Sequence, residues 1–146
     1  VLAANSRALV IRTAWLFGPG KNNFVEKIIA AAQTRSELRV VDDEVGSPTY
    51  TRDLAIATKE LCLSQHFGVF HVVNSGSCSR YEFACEIVRG AGLVTAVSPC
   101  KSNERPSAVR RPAYSVLSTR AFERVTGHEM RHWKDALREY LNRRTT

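Results

Sequence analysis

No apolar run in the 146 residues approaches the roughly 20 that a membrane-spanning helix needs, so a membrane is not the expected partner. No basic-then-apolar leader reads as a signal peptide, and a cytoplasmic setting is the expectation. The four cysteines, Cys62, Cys78, Cys85 and Cys100, contain no C-x2-C pair, which argues against a zinc knuckle or a dithiol redox motif. Cys62 and Cys85 fall in helical apolar patterns and read as small, buried, reduced side chains. Aromatic residues are only 8% of the chain and do not alternate with basic ones, as they would on a single-strand nucleic-acid surface. The formal net charge of +7 comes from Lys and Arg interleaved with acidic residues, apart from a modest cluster at Arg138, Arg143 and Arg144. Nucleic acid is therefore not the expected partner; a solvated, slightly basic surface is the commoner meaning of such a balance, and an anionic small-molecule site also fits it. Also missing are a G-x-S-x-G elbow, a Y-x-x-x-K pair and a cysteine placed beside a histidine.

What is present is an alternation of strand and helix signals, the pattern of a parallel α/β sheet. Residues 8–13 form an apolar strand, and Asn23 with Glu26 three residues on has capping-box spacing for a helix to about Gln33. Phe24, Ile28 and Ala31 share one face of that helix. A short strand at "ELRVV" leads through an acidic turn and a Gly-Ser-Pro break to a helix over about 51–64, with Leu54, Thr58 and Leu61 inward. A second convincing strand lies near 69–73, in "GVFHVVNSG", and Ser79 with Glu82 opens a helix that closes on Gly90 and Gly92. Residues 98–116 carry three prolines and several arginines and read as loop with at most one extended piece. Helices over about 118–125 and 132–143 finish the chain. It begins "VLAANSR", without methionine, and passes almost at once into a buried-type strand that the later strand-like runs could hardly flank on both sides. The expectation is the C-terminal part of a longer protein.

Three motifs invite chemistry. "WLFGPGKN" has Gly20 and Lys21 placed as in a phosphate loop, but Trp15 stands at the first glycine and Asn22 replaces the hydroxyl. No G-x-G-x-x-G fingerprint is present either, so the stretch is not a phosphate cradle. A turn after a parallel strand is nonetheless where open α/β sheets bind ligands, which leaves Trp15 open as core or ligand platform. "HEMRH", His128–His132, has zinc-protease spacing, but Gly127 precedes it and the amphipathic face of Trp133, Leu137 and Leu141 begins after it. It spans a helix start rather than one helix face, which argues against a zinc site. Asp42, Asp43 and Glu44 read as a solvated acidic turn, with Asp43 contacting a loop. Arg110 and Arg111, in a proline-fixed segment, could hold a diphosphate bidentately or simply be solvated.

"RTAWLFGPGKNNF", "LRVVDDEVGSPTY", "DLA", "GVFHVVNSGSCSRYEFACEI" and "RRPAYSVLSTRAF" occur in an order and spacing that resemble the C-terminal half of the dTDP-4-dehydrorhamnose reductase family, extended short-chain dehydrogenase/reductases. The resemblance implies an α/β fold, the C-terminal part of an extended Rossmann-type reductase, with parallel-sheet strands plus a small mixed substrate-binding lobe. It implies that residues 1–146 are the substrate-binding portion, with the strands near 8–13 and 69–73 belonging to the cofactor-domain sheet. The family reduces dTDP-4-dehydro-L-rhamnose with NADPH, for surface polysaccharide synthesis. Its glycine-rich cofactor loop and catalytic Thr/Ser, Tyr and Lys lie in the N-terminal half, so no catalytic residue is expected in these 146. The resemblance brings Trp15 to the sugar pocket, and Asn22, Asn23 and Phe24 to the nucleotide sugar. It makes Gly46, Ser47, Pro48 and Thr49 the hinge between lobes, and places Arg111 and Ser115 near the nucleotide end. A magnesium ion and a homodimer are left open. Two residues depart from the pattern: "HEMRHW" replaces a leucine-proline start to the last helix, and Arg80 stands where an aromatic is expected. Other readings are a non-catalytic relative of the methionine adenosyltransferase regulatory subunit, or another nucleotide-sugar reductase or epimerase.

Overall fold

Short apolar strands alternate with amphipathic helices, and the alternation sets the architecture. The computed structural model describes residues 2–20, 22–104 and 111–144. The first half contains β1 (Leu9–Arg12), β2 (Leu16–Phe17), α1 (Phe24–Ala32), β3 (Glu37–Val41), β4 (Val45–Gly46), β5 (Thr49–Tyr50) and α2 (Thr51–Leu63). The second contains β6 (Gly68–His71), β7 (Cys78–Ser79), α3 (Arg80–Gly90), β8 (Ala96–Cys100), a 3-10 turn at Ser102–Glu104, α4 (Arg120–Thr126) and α5 (Trp133–Arg144).

The strands associate in pairs. β1 lies parallel to β6 with Ile11 opposite Phe70, β2 parallel to β5, and β3 parallel to β8, while β4 and β7 run antiparallel. The parallel α/β character matches the expectation, and one antiparallel pair stands beside three parallel ones among the described residues. β8 is an element the proline content obscured: Pro99 sits opposite Val40 in a strand that, among the described residues, is flanked on one side only. A proline is tolerated there because an edge strand has one row of backbone groups outside the ladder.

Helix ends follow local chemistry. Asn23 caps α1 by accepting from the Glu26 N–H at 3.2 Å, but the Glu26 carboxylate leaves the cap to accept from Tyr140 Oη at 2.7 Å and Arg144 Nε at 2.9 Å. Ser79 and Glu82 complete a reciprocal capping box on α3, at 3.0 and 2.6 Å. α4 ends at Gly127, whose φ of 78° suits a residue without a Cβ.

Two apolar clusters result. The larger joins α1, β3, α3 and α5 around an aromatic stack of Phe17, Tyr50, Phe83, Trp133 and Tyr140, and the smaller packs α2 and Phe122 against Phe70 and Val72. Within α2 the buried residues are Ala57 and Leu61, with Leu54 only partly covered. The cysteine expectation reverses: Cys62 is exposed and Cys85 half-buried, whereas Cys78 and Cys100 are buried. Cys62 lies one residue past the inward Leu61 on a helix with a narrow buried stripe, so it turns outward. Burial pushes the Cys78 thiol up to about 12, which makes it an inert core side chain.

Candidate functional site

The face of α1 marked by Phe24, Ile28 and Ala31 forms an apolar wall of a cavity of about 970 Å³. Leu38 and Val40 of β3 continue that wall. The opposite character comes from guanidinium groups: Arg80 at the start of α3 and Arg111 ahead of α4 both line the cavity, as do Arg35 and Arg39. Asp43 and Glu44 supply the carboxylates, but Asp43 is engaged, accepting from the Ser102 N–H at 3.0 Å and the Ser102 hydroxyl at 3.0 Å. That is the loop contact expected of Asp43. Arg39 pairs with Glu104 at 2.5 Å. An apolar wall beside a concentration of guanidinium charge suits an amphipathic anion.

Trp15 stands just outside this cavity rather than in its lining. Its φ of 45° puts a bulky residue in the left-handed region, a strained conformation that concentrates at functional sites. Thr49 N–H donates to the Trp15 carbonyl at 3.1 Å, and the indole lies so close to Gly46 that a Cβ there would meet Trp15 Cε2 at 2.4 Å. Only glycine fits at 46. The guanidinium carbon of Arg80 sits 3.6 Å from the Trp15 ring centroid and 5.1 Å from that of Phe24. Both aromatic rings rest on Phe83, with centroids at 6.5 and 5.5 Å.

Arg80 is the residue that sequence reasoning undervalued. An arginine in place of an aromatic costs little only if it is exposed, yet this side chain is 16% exposed and its Nε is buried without a hydrogen-bond partner among the described residues. Glu44 approaches only to 3.8 Å, too far for a hydrogen bond. Burial, and next the charge of Arg111, pull the Arg80 guanidinium down to about 10, while Glu44 opposes them. The departure from the expected aromatic was the available signal. A second unpartnered group is Thr13 Oγ1, buried just past the carboxyl end of β1.

The other expected residues divide. Phe24 and Arg111 line the cavity. The Asn23 carboxamide is consumed structurally, donating to the Gly18 and Gly20 carbonyls at 2.8 and 2.9 Å and thereby fixing the GPG turn. Asn22 is exposed and outside the cavity lining. Ser115 donates its N–H and its hydroxyl to the Val45 carbonyl, at 2.8 and 3.1 Å, so it ties the Arg111 segment to β4. Gly46, Ser47, Pro48 and Thr49 form a buried connection from the antiparallel pair to a parallel one. Arg110 and Lys21 lie outside the described residues.

"HEMRH" is dispersed among packing roles. His128 Nε2 contacts Glu60 at 3.0 Å, Met130 is buried, and His132 packs against Trp133 with centroids 5.7 Å apart. α5 begins only at Trp133, so the two histidines never share a helix face. The Glu129 carbonyl and then Glu60 raise the His128 pKa. A raised folded pKa adds stability that is complete below the ordinary value near 6.5 and fades as pH rises through the raised one. Denaturant midpoints should show the deficit of His128→Gln shrinking from a pH below about 6.5 to about pH 8.5; a deficit independent of pH contradicts the assignment.

The whole chain, residues 1–146, matches the family model described as RmlD substrate binding domain. It is 51% identical over 137 residues to the spore coat polysaccharide biosynthesis protein SpsK of Bacillus subtilis, covering 94% of this chain and 48% of that protein. It is 35% identical over 142 residues to a dTDP-4-dehydrorhamnose reductase of Mycolicibacterium smegmatis, covering 95% and 43%. Among solved structures, a dTDP-4-dehydrorhamnose reductase from Clostridium acetobutylicum superposes with a TM-score of 0.93 at 41% identity, over 99% of this chain and 51% of that one. The Bacillus anthracis reductase in complex with NADP superposes with a TM-score of 0.88 at 36% identity, over 92% and 48%. The chain thus spans about half the length of the relatives it matches.

Proposed function

The chain belongs to the family of RmlD substrate binding domains, and from that premise we propose that it is the nucleotide-sugar-binding half of an NADPH-dependent reductase. The substrate would be dTDP-4-dehydro-L-rhamnose and the product dTDP-L-rhamnose, in surface polysaccharide synthesis. The cavity carries this reading: an apolar wall of Phe24, Ile28 and Leu38 suits a base and sugar, and the Arg80 and Arg111 guanidiniums suit a diphosphate. Trp15, seated by Gly46, flanks it on the sugar side, and the Gly46–Thr49 connection is read as the hinge between lobes.

The residues of this chain do not fit the cofactor by themselves. The sequence has no dinucleotide fingerprint and no Y-x-x-x-K pair, and a Cβ at Gly18 in the GPG turn would meet Thr51 Oγ1 at 2.0 Å, so that glycine serves packing. NADPH binding and proton donation are assigned outside these 146 residues. Among the described residues no three His, Cys, Asp or Glu side chains group to hold a metal, so a magnesium ion bound here would be held mainly by the substrate's phosphates.

The test is NADPH oxidation by the full-length protein with dTDP-4-dehydro-L-rhamnose, alongside the isolated 146-residue chain. Turnover is expected from the former alone, and Arg111→Ala should raise the Michaelis constant about tenfold or more, the loss of a charged hydrogen bond. A reductase acting on a different nucleotide sugar is the second reading, since SpsK is named for spore coat polysaccharide and not for a rhamnose precursor, and a substrate panel decides between them. Failure on every 4-keto sugar overturns the reductase reading in favour of a non-catalytic relative. Turnover by the isolated chain overturns the division of labour.

A further inference from the structure

We propose that Arg80 and Arg111 form a two-guanidinium clamp for an oxyanion of the bound ligand, with Trp15 acting as the aromatic seat of Arg80 rather than as an open stacking face. The proposal deepens the nucleotide-sugar reading and rests on it for the ligand class. Four observations carry it. First, both arginines line one cavity. Second, the Arg80 guanidinium covers the Trp15 ring at 3.6 Å, so a sugar approaching from the cavity meets the guanidinium before the indole. Third, Arg80 Nε is buried without a hydrogen-bond partner among the described residues, and the Glu44 carboxylate at 3.8 Å neutralises it only at a distance. Fourth, the guanidinium is held in a fixed plane by Trp15, Phe24 and the capped first turn of α3, so its fork is oriented before a ligand arrives.

A solvated arginine would swing into water, and a structural one would close a bidentate pair. Arg131 shows the latter in the same molecule, with Asp53 at 2.7 and 2.8 Å on two of its nitrogens. Arg80 does neither. Arg80 and Arg111 repel one another across one cavity, with Glu44 held only loosely and Asp43 turned to Ser102, and an anion bound there would relieve that repulsion. A planar, forked donor pair matches phosphate or carboxylate oxygens. Two sources would supply them: the diphosphate of the nucleotide, or a carboxylate carried by the sugar. An aromatic at position 80 would select for neither.

The experiment is calorimetric titration of the full-length protein, and of its Arg80→Met and Arg111→Met variants, with inorganic pyrophosphate, dTDP, dTDP-glucose and dTDP-glucuronate. Each variant should bind the clamped oxyanion about tenfold or more weakly, the loss of one charge-assisted contact. Loss shared by pyrophosphate, dTDP and both sugars places the diphosphate in the clamp. Loss confined to dTDP-glucuronate places the sugar carboxylate there. Pyrophosphate binding that depends on Arg80 and Arg111, with no response to any dTDP ligand, supports the clamp while overturning the nucleotide-sugar reading. Arg111 is exposed, so its variant reads the clamp even if Arg80→Met fails to fold. Ligand affinities unchanged by Arg111→Met, or unchanged by a folded Arg80→Met, overturn the proposal.

Discussion

Phe83→Ala is expected to lower the unfolding free energy by about 3–5 kcal/mol, the range for emptying a buried phenylalanine site. Phe83 is fully buried and touches four aromatic rings: Phe17 at 5.7 Å, Phe24 at 5.5 Å, Trp133 at 5.5 Å and Trp15 at 6.5 Å. These neighbours come from separate elements, so no single side chain can relax into the space. The residue also carries function, because the rings of Phe24 and Trp15 that seat Arg80 both rest on it. Chemical denaturation measures the stability, and near-ultraviolet dichroism of the native state reads the aromatic packing. Both should change together. A loss below about 1 kcal/mol with an unaltered aromatic spectrum would show that the cluster tolerates the hole and that the Arg80 seat is held elsewhere.

The same residues show what the sequence could and could not reveal. α1 and α3 were legible because their signals are local: Asn23 and Ser79 with a glutamate three residues on, and an apolar face repeating at helical spacing. That the Phe24–Ile28–Ala31 face borders a cavity was not legible, since periodicity marks an apolar face without naming what lies opposite. β8 was legible only as one extended piece within a loop, for the reverse reason. Pro99 is a local signal against a strand, and only the position at a sheet edge, a tertiary fact, removes the penalty. The site divides in the same way. Arg111 and Phe24 line the cavity, whereas Asn23 and Ser115 spend their hydrogen bonds on backbone carbonyls. Arg80 looked tolerable in the chain and matters in the fold because Trp15, 65 positions away, lies beneath it. Contacts of that separation leave no periodic trace.

Asp53→Ala is the second change expected to be large, at about 3 kcal/mol, the lower end for breaking a buried ion pair by removing one partner. Asp53 holds Arg131 through two nitrogens at 2.7 and 2.8 Å and accepts from Asn74 Nδ2 at 2.8 Å, and its own side chain is only 10% exposed. Removing it leaves two nitrogens of the Arg131 guanidinium without their acceptor and the Asn74 amide with only the Arg131 carbonyl, at 3.2 Å. Arg131 is about one-third exposed and keeps Glu139 at 2.6 Å, which holds the loss below that of a fully buried pair. Arg52, 47% exposed and also paired with Glu139, provides the contrast: Arg52→Met should cost less than about 1 kcal/mol. Equal losses for the two variants would contradict the burial argument. Asp53→Asn, which retains an acceptor but not the charge, should fall between them. The consequence runs beyond stability. Asn74 Oδ1 accepts from the Tyr50 N–H at 2.8 Å, one residue after the Thr49 N–H that holds the Trp15 carbonyl. The network therefore anchors the carboxyl end of the Gly46–Thr49 connection, and with it the strained backbone of Trp15 on which Arg80 sits. A folded Asp53→Asn protein should bind pyrophosphate more weakly than the parent although Asp53 lies outside the cavity lining, and calorimetry on that variant measures how far the seat has loosened.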